Sequence, residues 1–125
     1  LAIFAAMSDE EVESIMRANA ERYGAVYTNM SATTVRKQVA ETRARGYAFI
    51  PGTLAPGFRG IAVPLLQEGG NPIAAIVLVS TPARLSDARR AALGDRMQKL
   101  GKEVMNSARV LSDDSTDESL FHQAD

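Results

Sequence analysis

The chain has 125 residues, 46% of them apolar and 23% charged, with a formal net charge of −1, a make-up that fits one ordinary soluble domain built on a single core. It has no cysteine, which excludes disulfides, thiolate metal sites and cysteine nucleophiles and fits a reducing cytoplasm; no apolar run approaches the roughly 20 residues needed to cross a bilayer. Five acids and no bases follow Leu111, so the rest of the chain carries 14 bases against 10 acids, spread without the dense block or interleaved aromatics of a nucleic-acid surface.

In chain order, Leu1 to Met7 is apolar on nearly every side and lacks a start signal, and so reads as the tail of an earlier element. Ser8-Asp-Glu-Glu11 has the form of a capping box, with Val12, Ile15, Met16 and Tyr23 following near helical spacing and Gly24 able to end the helix. A second helix is predicted from Ser31, turning Val35, Val39 and Thr42 inward and stopping at Gly46 in a left-handed cap. Tyr47 to Ile50, Phe58 to Leu66 and Ile73 to Ser80 are strand-like, the last two joined as a hairpin through Gln67-Glu-Gly-Gly-Asn-Pro72.

In these last two runs both alternating sets of residues are apolar, which calls for cover on both sheet faces: helices on one, and a second layer, a subunit or an enclosed pocket on the other. Pro64 cannot donate a ladder bond, so an edge or a bulge is expected near it. From Ser86-Asp87 a long helix is predicted, with Leu93, Met97, Leu100, Val104 and Leu111 as its packing stripe. Residues 112–125 hold too little apolar matter to offset ordering entropy and read as an acidic disordered tail, leaving 1–111 as the domain.

Few chemistries are open to these residues. The single histidine, His122, lies in the tail, the carboxylates of the body do not converge as metal binding requires, and neither a nucleophile elbow nor a phosphate-binding loop is present. No cofactor, metal or catalytic residue is expected. Gly57 and Gly60 fit turn geometry or a bulge before the long strand, and with a bulge possible the face taken by Arg59 is undetermined.

The succession of Leu1-Ala2, the Ser-Asp-Glu-Glu helix start, Thr42-Arg-Ala-Arg-Gly-Tyr-Ala48, Gly57-Phe-Arg-Gly-Ile-Ala-Val-Pro64, Pro72-Ile-Ala-Ala-Ile-Val-Leu-Val79 and Pro82-Ala-Arg84 resembles the C-terminal effector domain of IclR-type transcriptional regulators. The resemblance implies an α/β (α+β) GAF-like fold, with an antiparallel sheet flanked by helices and a cupped ligand pocket on one sheet face. It also implies that this chain lacks two parts of the family's plan, the N-terminal winged helix-turn-helix and the first half of the effector domain. DNA would be contacted only through that absent domain, the partners would be a small-molecule effector and the other subunits of a homodimer or homotetramer, and no membrane would be involved.

Carried over by alignment, the family's ligand-facing positions fall on Ile50, Phe58, Gly60, Val77 and Val79. Relatives that sense small carboxylic acids are expected to place Asp, Cys or Ser at several of these positions, whereas Ile50, Gly60, Val77 and Val79 offer no side-chain hydrogen bond. A carboxylate held there would lose water at about 1–3 kcal/mol per unpaired polar group, so the expected effector is larger and mostly apolar or aromatic. The alternatives are an oligomerisation module without a ligand, using the Leu93 to Leu111 stripe, and a GAF-like small-molecule enzyme.

Overall fold

The computed structural model describes residues 1–24, 31–53 and 56–121, with side-chain surroundings given as far as residue 114. Helix α1 (Ala2–Ala5) is followed by α2 (Asp9–Tyr23) and α3 (Ala32–Arg45), then strands β1 (Ala48–Ile50), β2 (Arg59–Leu66) and β3 (Pro72–Ser80), and finally helix α4 (Asp87–Phe121). The sheet is antiparallel in the order β1-β2-β3, the flanked antiparallel arrangement expected from the sequence. Within Leu1 to Met7, Ala2–Ala5 forms a short helix of its own, with Ala2 buried.

Local signals set the helix ends. The Ser8 hydroxyl accepts from the Glu11 amide while the Glu11 carboxylate accepts from the Ser8 amide at 2.9 Å, completing the capping box. Ser31 caps α3 through the Thr34 amide, and Gly46 ends that helix at φ 87°, where an L side chain is strained. Arg43 then ties the helices together, its guanidinium donating to the Ala5 and Met7 carbonyls and to Asp9 Oδ1 at 2.6–3.1 Å, while Arg36 pairs with Glu13.

The sheet separates two cores. On one face Tyr47, Ile61, Val63, Leu85 and Met97 are buried together, with Phe49, Ile76, Leu78 and Leu93 packed around them under α4. On the other, Ala48, Ala62 and Ala2 are buried against Leu1 and Ala75, so small side chains let α1 lie close to the strands, with α3 packed on α1 and β1. A bulge falls between Leu65 and Leu66, one residue beyond Pro64. Pro64 itself lies past the end of β1, where among the described residues β2 has a neighbour on one side only and a missing donor costs least.

Two expectations for α4 need correction. The helix does not stop near Leu111 but continues to Phe121, so the acidic residues 112–121 are helical; each added turn bonds to the one before it, which a count of apolar residues overlooks. Residues 122–125, including His122, lie outside the described residues. The packing face also differs from the predicted stripe: Met97 is buried and Leu93 partly so, but Leu100, Val104 and Leu111 are exposed. Gly94 and Gly101 are buried instead. A Cβ on Gly94 would lie 2.4 Å from the Tyr47 ring, and one on Gly101 would lie 3.5 Å from Val63 Cγ2, so the glycines, and not the largest apolar residues, set how closely the helix approaches the sheet.

Candidate functional site

The antiparallel register gathers four of the five predicted positions. Ile50 opposes Gly60 across β1 and β2, and Gly60 opposes Val79 across β2 and β3, forming one row; Ala48, Ala62 and Val77 form the next. Directly paired residues share a sheet face, so Ile50, Gly60, Val77 and Val79 lie on the same side as Ala48 and Ala62, opposite the α4 core. A Cβ on Gly60 would sit 3.7 Å from Ile50 Cβ and Cδ1 and 3.6 Å from the Leu78 carbonyl. Gly60 therefore leaves a shallow notch between Ile50 and the β3 backbone. Phe58 precedes β2 by one residue and is exposed, outside the paired rows.

Cover on this face is uneven. Ala2 and Leu1 pack on the Ala48, Ala62 and Ala75 end, but Val77 and Val79 are 54% and 60% exposed. The predicted residues thus form an open apolar floor in this chain and not a closed chamber, since α1 covers the Ala62 and Ala75 end and leaves Val77 and Val79 bare. At the far end of β3, Ile73 is the extra residue of the bulge and is also exposed.

Arg59, whose face the sequence left open, belongs to the helix side. Its Nη1 donates to the Leu85 carbonyl at 3.1 Å and lies 3.3 Å from Asp87 Oδ1, with the guanidinium over the Phe49 ring. It fastens β2 to the start of α4 and presents no charge to the apolar floor. Arg90 stacks on the same ring, 4.5 Å from its centroid.

The perturbed ionisations are structural as well. The backbone amide and hydroxyl of Ser8 hold the Glu11 carboxyl below its ordinary pKa. The Arg36 guanidinium does the same for Glu13, and the carboxylate in turn raises Arg36. Among the described residues no three of His, Asp and Glu converge as a metal would need, and no helix is long and apolar enough to cross a membrane.

The sequence reading missed a second hollow, on the opposite face. It has a volume of about 170 Å³ between α4 and β2 and is lined by Val63, Pro64, Gln98, Gly101, Lys102 and Met105. Gly94 and Gly101, seven residues apart on α4, were the available signal for so close an approach of helix to sheet.

The profile described as "Bacterial transcriptional regulator IclR C-terminal" matches residues 2–106. The chain is 30% identical over 103 residues to the transcriptional repressor IclR of Escherichia coli, and 30% identical over 103 residues to the acetate operon repressor of Salmonella typhimurium; each match takes in 82% of this chain. In both cases the chain spans 38% of the relative's length. Among solved structures, the Thermotoga maritima IclR superposes with a TM-score of 0.71 at 16% identity, over 85% of this chain and 43% of that one. The C-terminal domain of Escherichia coli KdgR gives 0.70 at 20% identity, over 84% and 64%. These likenesses share the α+β architecture described above, and the named relatives are transcriptional repressors rather than enzymes. The chain belongs to the IclR family of bacterial transcriptional regulators and forms part of the family's C-terminal effector-binding domain.

Proposed function

We propose that the chain is the sensing part of a cytoplasmic DNA-binding regulator, and that a small, mostly apolar or aromatic metabolite rests on the Ile50, Gly60, Val77 and Val79 floor, with Phe58 at its margin. The observation that carries this reading is the exposure of Val77 and Val79 on a face otherwise built as core. Bare Val79 paired across from the glycine notch, with bare Val77 in the next row, favours contact area over hydrogen bonding. The closed, GAF-like chamber would be completed by the part of the effector domain that precedes this segment in its relatives. A winged helix-turn-helix elsewhere in the parent protein would contact DNA, within a homodimer or homotetramer. Ligand binding regulates only if the two arrangements of the oligomer bind the metabolite unequally.

Val79→Asp tests the site in the complete effector domain. A carboxylate on the floor should weaken an apolar effector at least tenfold, or about 1.4 kcal/mol, with oligomer mass unchanged; calorimetric titration reads the first and sedimentation the second. Unaltered affinity would remove β3 from the site. A second reading, an oligomerisation module with no ligand, is favoured by the exposed Leu100 and Val104 on α4. It predicts that no metabolite in a thermal-shift screen stabilises the domain.

A further inference from the structure

At the Gly60 row the strands turn one residue to the apolar floor and its neighbour to α4. Successive strand residues face opposite sides, so Ile50 follows Phe49 and Gly60 follows Arg59, each floor residue one peptide away from a residue on the helix face. Arg59 Nη1 donates to the Leu85 carbonyl at 3.1 Å and lies 3.3 Å from Oδ1 of Asp87, the first residue of α4. The Phe49 ring takes the Arg59 guanidinium 6.0 Å from its centroid and that of Arg90, three residues further into α4, at 4.5 Å. Two neighbouring strand ends are thus tied to the start of α4 through the Leu85 carbonyl, Asp87 and Arg90.

The connection is stiff on both sides. Gly60 has no side chain to rotate away, so a group filling its notch bears on the β2 backbone, in the peptide shared with Arg59. Arg59 opens β2 and Ile50 ends β1, so the ladder restrains this end of the sheet least and the Arg59 side chain adds what the missing rungs would. Across the sheet α4 has no slack, since a Cβ at Gly94 would already lie 2.4 Å from the Tyr47 ring, and packed interiors shift as units rather than compress. These contacts are all made within the chain, and none depends on what covers its outer faces.

We propose that Arg59 is a positioning residue through which occupancy of the floor is felt by α4. An apolar or aromatic group seated in the Gly60 notch presses β2 towards the helix and secures the Arg59 contacts, so the first turn of α4 opens less often. This rests on the reading of the floor as the effector's seat, and adds the route by which its occupancy reaches the other sheet face. The amides of Arg89 and Arg90, bonded to the Ser86 carbonyl at 3.1 and 3.0 Å, report on that turn. Because α4 runs for 35 residues, about 50 Å at 1.5 Å per residue, a change at its start is carried far from the sheet.

Residues 1–125 hold no cysteine, so an occupant can be tethered at one chosen place. In the full parent protein, with any cysteine outside this stretch changed to serine, Val79→Cys labelled with benzyl methanethiosulfonate carries an aromatic ring on the floor through a disulfide. Relative to the unlabelled variant, amide hydrogen exchange should slow by about threefold or more in β2 at Gly60 and Ile61, and in α4 at Arg89 and Arg90. Adding Arg59→Met should keep the slowing in β2 and abolish it in α4. Asp87→Ala/Arg90→Met, which cuts the same link from the helix side and leaves the strands untouched, should remove most of the α4 slowing and decides alone should Arg59→Met not fold. Slowing in α4 that survives these changes, or slowing confined to β2 while Arg59 is intact, would overturn the link and leave the floor standing as the effector's seat. No slowing in β2 would overturn both, since the tethered ring would then not rest on the floor.

Discussion

Two glycines on α4 should respond to the same substitution with opposite sign. A methyl at position 94 would fall 2.4 Å from both Cδ1 and Cε1 of Tyr47 and 2.9 Å from Cγ, where carbon atoms normally rest at about 3.5–4.0 Å. The ring has little room to retreat, being 5% exposed with the Arg45 guanidinium 5.4 Å from its centroid. Overpacking of this depth costs about 3 kcal/mol, and alanine's helix preference returns about 1 kcal/mol, so Gly94→Ala should lose about 2 kcal/mol. At position 101 the same methyl meets Val63 Cγ2 at 3.5 Å, the Pro64 carbonyl at 3.6 Å and Leu65 Cδ2 at 3.7 Å, all ordinary contacts. Gly101→Ala should therefore keep most of that 1 kcal/mol as added stability. Urea denaturation followed by far-ultraviolet circular dichroism separates the two variants by about 3 kcal/mol, well beyond extrapolation error. Gly94→Ala should also cost less in a Tyr47→Leu background, since the colliding ring is gone. If both alanines shift the midpoint in the same direction, the close approach of α4 to Tyr47 and β2 is wrong.

Leu85, 1% exposed where the chain turns from β3 into α4, should cost about 2–5 kcal/mol when cut to alanine, read as a fall in thermal midpoint; a loss under 1 kcal/mol would mean that the turn is not core. Acid should weaken the helical layer. Glu11 and Glu13 have folded pKa values held below their unfolded ones, by the Ser8 donors and by Arg36 respectively, so their contribution is complete above about pH 4.3 and is lost as pH falls through the folded values. Glu13→Gln should flatten that dependence between pH 5 and 2, and an unchanged slope would show that the Arg36 pair does not bear on stability.

What the sequence disclosed follows from the range of the interactions involved. The Ser8 capping box, the Ser31 cap and the Gly46 stop each depend on atoms within four residues of one another, so they were legible as spelling. The hairpin was legible too, since the Gln67 to Pro72 turn separates two apolar runs. The side to which Arg59 projects was not, because a bulge at Gly57 or Gly60 would have reversed it; the bulge lies instead at Leu65 and Leu66, leaving Arg59 on the helix side with Phe49. The face of α4 was misread for a related reason. Periodicity marks where apolar side chains line up, but Tyr47 selects the side that lets a helix come nearest, and Gly94 is on that side.

Gly60 is where the ligand reading can be separated from plain core packing. Its backbone needs no left-handed conformation, and an added Cβ meets nothing nearer than 3.6 Å, so Gly60→Ala should fold as well as the parent chain or slightly better, since glycine in a strand gives up more backbone freedom than alanine. The same methyl fills the notch between Ile50 and the β3 backbone, in the row that ends at Val79. If a metabolite rests there, it must ride up from the floor and give up contacts along the row, at about 1 kcal/mol or more, a loss of at least roughly fivefold in affinity. Unchanged stability with weakened effector binding is thus the expected pair of results in the complete effector domain, read by denaturation and by calorimetric titration. The opposite pair, lost stability with affinity intact, would mean that the row is packing surface for the rest of the domain and that the effector lies elsewhere.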